Sequence, residues 1–509
     1  MQLRVTHIAR SAVSNWIATA STLIVSYFLA PFLLHHLGNV EYGIWVLALS
    51  TTSYLYFLDI GLRSSVVRFV SKAHSAGNHE EASRVLSAVL WARLQIAVLT
   101  LVLATGISIV FPYVFHLPQA LWESSRMALF VIGLTISLAM PMNAVGAVLS
   151  ALNRYDLLSY SSLLQLIIRA IGIVLVLHYG KGIVAIAGCE MIASLSSHFI
   201  VLITTRNVYP QLKIHLHIPS RDLLRQLWSY GSYSFLLLVS MQVIYQADNL
   251  IVGTCISTIA VTLYSIANSL CRYTQQLFNA FTNTFISAAS VYESSGYESE
   301  LRNLYLSGTR AIMFLCLPVL ITLIIRAQTF ISLWMGPQYS NPSGDVTSVL
   351  ATALLFSLFN STASSIAIGV GKHKPVALWT IAEAFSNILL SILLARKLGL
   401  IGVAIGTLVP SMVVNLVIWP HFIAKTLRIS LSEIVSKTVV PLGICAVPFS
   451  LACLAVNVYA HPKKMLSFFY ETLLLLPAFY LVLLLLYRER FKRNLVPWLR
   501  QTISQFQSS

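Results

Sequence analysis

LLSYSSLLQLIIRAIGIVLVLHY, residues 157–179, places Arg169 near the middle of an otherwise uncharged, mostly apolar stretch. As a helix rising about 1.5 Å per residue, such a stretch crosses a hydrocarbon core of about 30 Å. An arginine at that depth costs roughly 2.5–3.5 kcal/mol on the insertion scale. Four more arginines fall inside comparable stretches: Arg63, Arg93, Arg272 and Arg310. Together the set costs roughly 12–18 kcal/mol, comparable to the net stability of an ordinary domain. It survives if it faces water or finds counter-charges. The five are therefore expected to line a cationic path for an anionic substrate.

The rest of the chain has the same character. Its 509 residues are 57% hydrophobic and 10% charged, with mean hydropathy +0.78. A soluble globular chain carries about 25% charged residues, so this composition is that of a polytopic membrane protein. The net charge of +16 sits mainly in short loops between apolar runs. That location marks membrane topology and argues against nucleic-acid binding. The six cysteines are scattered through apolar runs without metal or redox spacing, as small buried residues are. The apolar run from about Ser11 is longer than a signal-peptide core and has no convincing cleavage site. It reads as a retained first span.

Fourteen transmembrane helices are expected in an all-α fold, at 11–36, 42–70, 85–111, 121–150, 157–179, 182–203, 227–254, 257–290, 302–326, 345–371, 375–395, 400–424, 437–459 and 465–487. With the N-terminus inside, the cytoplasmic connections and ends hold 21 of the 33 Lys and Arg, the outer connections hold 7, and the other 5 are the arginines above. Both termini are thus expected in the cytoplasm, in a bacterial inner membrane. Segment 204–227 and the tail 488–506 mix basic and apolar residues. Each reads either as a surface resting on anionic membrane lipid or as plain topology signal.

The first twelve spans read as two copies of six. Gly180, Val184, Ala185 and Ile186 recur as Gly399, Val403, Ala404 and Ile405, 219 residues on. Gly77 matches Gly296 at the same offset, Arg93 matches Arg310 at 217, and Asn153–Arg154 match Gly371–Lys372 at 218. Six is even, so both copies enter from the cytoplasm as a parallel repeat, with a substrate path between halves. The expected divisions are an N-terminal six-helix bundle (1–203), a cytoplasmic amphipathic linker (204–226), a second six-helix bundle (227–424), two additional helices (425–487) and a basic tail (488–509).

Arginine keeps its charge and offers a planar fork that holds phosphate oxygens bidentately, which suits a pyrophosphate head group. The alternative is that some of the five brace helix pairs. Four acids within the spans stand out: Asp59, Glu190, Asp248 and Glu383. Asp59 and Arg63 are four apart and would share one helical face as a salt bridge or a gate. Asp248 and Glu383 are candidates for ion or proton coupling, or for structural pairing. Gln275, Gln276 and Asn279 follow Arg272 at helical spacing and suit a hydrated, sugar-binding lumen; Gln246, Asn249 and Asn143 suit either that or helix-to-helix hydrogen bonding. Pro141, Pro318 and Pro410 are candidate flexing points. The chain has no phosphate-binding G-x-x-x-x-G-K-[ST] loop, no zinc spacing and no long loop for a catalytic domain. No cofactor or metal and no enzymatic activity are expected.

Residues 37–82, LGNVEYGIWVLALSTTSYLYFLDIGLRSSVVRFVSKAHSAGNHEEA, resemble the start of bacterial Wzx-type polysaccharide flippases. The likeness rests on a short Leu-Gly connection, Tyr-Gly at the start of span two, an Asp-x-Gly-Leu element and a Gly-Asn loop. Residues 246–270, QADNLIVGTCISTIAVTLYSIANSL, resemble that family's second half. The resemblance implies the fold of the multidrug/oligosaccharidyl-lipid/polysaccharide exporters. It also implies alternating-access translocation of an undecaprenyl-pyrophosphate-linked oligosaccharide, serving O-antigen, capsule or exopolysaccharide assembly beside a polymerase and a chain-length regulator. A multidrug/cation antiporter and a lipid II flippase are the rival readings within this fold.

Overall fold

In the computed structural model, which describes residues 2–59, 61–214 and 219–507, the chain is helical with no β-strand among the described residues. Ten helical runs there are long and apolar enough to cross a membrane. Two are too long for one crossing: Ser14–Asp59 has 46 residues and Lys374–Leu427 has 54. At about 1.5 Å per residue each is more than twice as long as a bilayer core is thick. Each turns at a glycine with non-helical torsions, Gly38 (φ 69°, ψ 177°) and Gly399 (φ 60°, ψ −137°). Glycine meets that need without a Cβ clash. These turns fall where the sequence places the connections between 36 and 42 and between 395 and 400. Pro141, Pro318 and Pro410 sit inside helices, and no non-helical torsion marks the prolines themselves.

Two units are distinguished, residues 1–266 with 377–406, and residues 267–376 with 407–509. Their limits differ from the expected bundles of 1–203 and 227–424.

The first unit begins with α1 (Gln2–Ser53), which passes through a tight turn, Tyr54–Asp59, to α2 (Leu62–Ser75). Gly61 takes φ 68° between them. The expected single span 42–70 is therefore broken, and α2 lies outside the ten apolar runs. Then follow α3 (His79–Val114), α4 (Trp122–Ala151), α5 (Tyr155–His178), α6 (Ile183–Val208) and α7 (Arg221–Cys255). α8 (Thr258–Thr282) starts in this unit and ends in the second. On α2, Leu62, Val66, Val70 and Ala73 repeat at helical spacing and bury against Val85, Leu86 and Val89 of α3 and Val145 and Val148 of α4. Arg63, Arg68 and Lys72 stay exposed. Lipid gives little hydrophobic drive between helices, so small residues set their approach. A Cβ on Gly43 would lie 2.2 Å from the Thr258 carbonyl oxygen, and one on Gly133 2.3 Å from the Ala104 methyl.

After α6 the chain docks on α3. Tyr209 is buried and its hydroxyl is hydrogen-bonded to His79 Nδ1 at 2.7 Å, while the Lys213 N–H donates to Ser83 Oγ at 3.0 Å. Parts of the expected lipid-facing surfaces, residues 215–218 of the linker and the side chains of the tail, lie outside the described residues.

The second unit holds α9 (Thr284–Ser294), α10 (Glu298–Ile325), α11 (Ala327–Trp334), α12 (Ser340–Phe359) and α13 (Ser361–Gly369). The expected span 257–290 is thus broken at Asn283, whereas 345–371 falls mostly in one spanning run, Pro337–Gly369, with a turn at Asn360. α14 (His373–Val413) is shared between the units and continues through a π-helical stretch, Val414–Ile418, into α15 (Trp419–Leu427). α16 (Leu431–Ile434), α17 (Val440–Tyr459) and α18 (Met465–Gln507) complete the chain. All six cysteines are free thiols, four of them buried.

Candidate functional site

The charged residues of the spans fall into distinct settings. Arg93 on α3 is 1% exposed. Its Nη2 lies 2.5 Å from Asp59 Oδ1, and Nη1 donates to the Met140 carbonyl at 2.9 Å. A guanidinium this enclosed is held by its carboxylate and carbonyl, so Arg93 braces α3, α4 and the turn after α1 rather than facing an open path. The pairing also corrects the expected Asp59–Arg63 bridge. Asp59 ends the tight turn, Gly61 breaks the helix in a left-handed conformation, and Arg63 starts α2 exposed to solvent. Spacing by four places two residues on one face only where the helix is continuous.

Arg169 on α5 is different. It is 32% exposed, and its Nε lies 2.6 Å from Glu190 Oε1 on α6, itself 20% exposed. Gly172, one turn further along α5, lets the helices approach closely: a Cβ there would meet Cys189 Sγ at 3.1 Å. Tyr56, in the turn that follows α1, is close enough to Glu190 to feel its charge. The pair is therefore a bound but accessible charge, whereas Arg93 is sealed.

Asp248 on α7 is buried and accepts a hydrogen bond from the Tyr264 hydroxyl at 2.7 Å. One helical step away Asn249 Nδ2 donates to Ser50 Oγ, which donates to Gln246 Oε1, both at 3.0 Å. The Thr262 hydroxyl donates to the Asn39 carbonyl at 2.6 Å. For Gln246 and Asn249, helix-to-helix bonding prevails over lumen exposure. Asn143 likewise bonds His198 Nε2 at 3.1 Å. Glu383 is half-buried on α14.

In the second unit, Arg272, Gln275, Gln276 and Asn279 share α8, half-buried except for Gln276, which is exposed. Arg310 is half-buried on α10, and its Nε donates to the Leu306 carbonyl one turn back at 3.1 Å.

Arg326 is a buried charge that sequence reasoning did not single out. It is 0% exposed at the junction of α10 and α11, with Nη2 2.5 Å from Glu471 Oε2 on α18. Its guanidinium lies over the Phe468 ring at 4.5 Å. The signal available was Glu471, a lone acid within the last apolar run; nothing in spacing links residues 145 positions apart. Among the described residues there is no group of three or more His, Cys, Asp and Glu able to hold a metal.

Residues 36–344 match the family described as Polysaccharide biosynthesis protein. The chain is 23% identical over 421 residues to the uncharacterized membrane protein EpsK of Bacillus subtilis (strain 168), covering 81% of this chain and 82% of that one. It is 23% identical over 409 residues to a putative O-antigen transporter of Shigella flexneri, covering 78% of this chain and 94% of that one. Among solved structures, the lipid II flippase MurJ in an inward closed conformation superimposes with TM-score 0.73 at 14% identity, covering 94% of this chain and 99% of that one. A multidrug resistance MATE family transporter of the MOP superfamily, inward-facing, gives TM-score 0.63 at 17% identity over 83% and 95%. With the family match covering more than half its length, and with the fold shared with MurJ and the MATE transporter, the chain belongs to the polysaccharide biosynthesis protein family.

Proposed function

We propose that the chain moves undecaprenyl-pyrophosphate-linked oligosaccharide units from the cytoplasmic to the outer leaflet of a bacterial inner membrane by alternating access, for O-antigen, capsule or exopolysaccharide assembly. Beyond the family match, one observation carries this reading. Arg169 keeps an accessible guanidinium inside an apolar helix of 24 residues. A cation held there at a cost of roughly 2.5–3.5 kcal/mol is a binding group for an anion crossing the same depth. Arg272, Gln275, Gln276 and Asn279 on α8 are proposed as further substrate-path residues, as are Arg63 and Arg310. Asp248 and Glu383 are the proposed coupling or gating acids. Moving negative charge outward across an inside-negative membrane is favourable by about 2.3 kcal/mol per charge per 100 mV, so coupling adds to an existing drive.

The topology proposed is fourteen crossings, two parallel six-span halves and two further helices, with both termini cytoplasmic. In its support, left-handed backbone recurs at the repeat spacing: Gly77 and Gly296 both have φ 70°, Gly180 and Gly399 have φ 66° and 60°, and Asn153 and Gly371 have φ 57° and 75°.

The test is Arg169→Ala and Arg272→Ala, assayed for surface glycan and membrane protein level. Loss of glycan with protein retained, and lipid-linked oligosaccharide building up on the cytoplasmic side, is expected. Wild-type glycan in both variants would refute the reading. A lipid II flippase is the second reading, favoured by the MurJ-like fold over 94% of the chain; rescue of a strain lacking its lipid II flippase would select it.

A further inference from the structure

We infer that Glu190 is a positioning residue for the anion site: it holds the Nε edge of Arg169 so that the Nη edge is presented to a pyrophosphate, and its negative charge keeps the bound anion releasable. The inference rests on the reading of Arg169 as a binding group. Three observations on α5 and α6 carry it.

The first is the edge used. A guanidinium has a side edge at Nε and an end edge formed by Nη1 and Nη2. Glu190 Oε1 meets Arg169 at Nε, 2.6 Å away. Among the described residues no hydrogen bond occupies the Nη atoms, so the fork that fits two oxygens of a phosphate is uncommitted. In contrast, Arg93 spends Nη1 on the Met140 carbonyl and Nη2 on Asp59.

The second is access. Arg169 and Glu190 are 32% and 20% exposed, against 1% for Arg93. The first guanidinium is thus not sealed between helices as the second is.

The third is rigidity. Gly172 brings α5 against Cys189, the residue before Glu190. The carboxylate therefore comes from a neighbouring backbone held at close packing distance, not from a mobile loop. A group meant to orient a planar fork needs such support.

Electrostatics sets the consequence. Arg169 alone would hold a pyrophosphate tightly, and a transporter must also let go. A carboxylate within a few ångströms repels the anion and weakens binding by about tenfold or more at the effective dielectric of a partly exposed site. Removing that charge while keeping the shape should tighten binding and slow release.

The experiment uses the full chain in lipid nanodiscs, with Glu190→Gln, Arg169→Ala and the exchanged pair Arg169→Glu with Glu190→Arg. Two probes separate the sources of the anion: soluble inorganic pyrophosphate, and farnesyl pyrophosphate as a lipid-borne head group. Surface glycan is measured in cells, with initial transport rate followed against substrate supply. For Glu190→Gln, about tenfold tighter binding of farnesyl pyrophosphate and a reduced maximal rate are expected, with thermal stability near wild type. Tightening for both probes places the gain in the shared phosphate chemistry; tightening for the lipid-borne probe alone adds the prenyl chain to the site. The exchanged pair restores the ion pair and stability but not transport.

Weaker or unchanged binding of both probes by Glu190→Gln, with Arg169→Ala inactive, overturns this inference and leaves the transport reading standing. Transport restored by the exchanged pair also overturns it, because a structural bridge has no direction. Full activity of Arg169→Ala overturns the transport reading itself.

Discussion

Asp59→Ala leaves Arg93, 1% exposed, without its carboxylate and with one hydrogen bond to the Met140 carbonyl. Breaking a buried pair by removing one partner costs about 3–5 kcal/mol, because the remaining charge is stranded. Asp59 is 31% exposed, so water reaches its side of the pair and the loss belongs at the lower end, about 3 kcal/mol. That is a change of more than 100-fold in the folded-to-unfolded ratio. Replacing both partners with apolar side chains, Asp59→Leu with Arg93→Met, removes the stranded charge and should recover most of the loss. Unfolding in detergent, followed by tryptophan fluorescence, reads the stability, and surface glycan reads transport. The reasoning fails if Asp59→Ala costs less than about 1 kcal/mol. It fails equally if the double variant is as unstable as the single one. A stable double variant that exports no glycan would return Arg93 to the substrate path.

Further outcomes follow from other contacts. Glu471→Ala strands the fully buried Arg326 and should cost about 3–5 kcal/mol, read as a lower unfolding midpoint; Glu471→Gln, which keeps an acceptor, should cost less. Gly43→Ala drives a methyl to within 2.2 Å of the Thr258 carbonyl oxygen and should destabilise by about 1–3 kcal/mol. Gly106→Ala, with nothing within 4 Å of the new methyl, should be neutral or stabilise by up to about 1 kcal/mol in the same assay. Tyr209→Phe removes the hydroxyl bonded to His79 at about 1 kcal/mol, and trypsin cleavage at Lys213 should accelerate. Burial raises the Tyr209 hydroxyl above its ordinary 10.0, so its docking is at full strength below that pH. As pH rises through the elevated value the docking is lost; a tyrosinate absorbance that Tyr209→Phe removes and that already appears at the ordinary value would contradict this.

Composition and run length alone determined that this is an all-helical membrane chain, because no other fold buries so many uncharged, apolar stretches of spanning length. The residue pattern also located the turns at Gly38 and Gly399, since a run too long for one crossing must reverse where the backbone can. The resemblance of 37–82 and 246–270 to flippases led to the family the comparisons show. Only the tertiary structure decided which charges meet. Arg93 found Asp59 across 34 positions, Arg169 found Glu190 across 21, and Arg326 found Glu471 across 145. The apparent neighbour Arg63, beyond one left-handed glycine, does not take the bridge to Asp59. Periodicity reports what lies on one face of a continuous helix; it carries no information about which faces of different helices pack together. Because the energy of a charge in lipid depends on its partner across that packing, the same residue type is sealed at 93 and left partly accessible at 169.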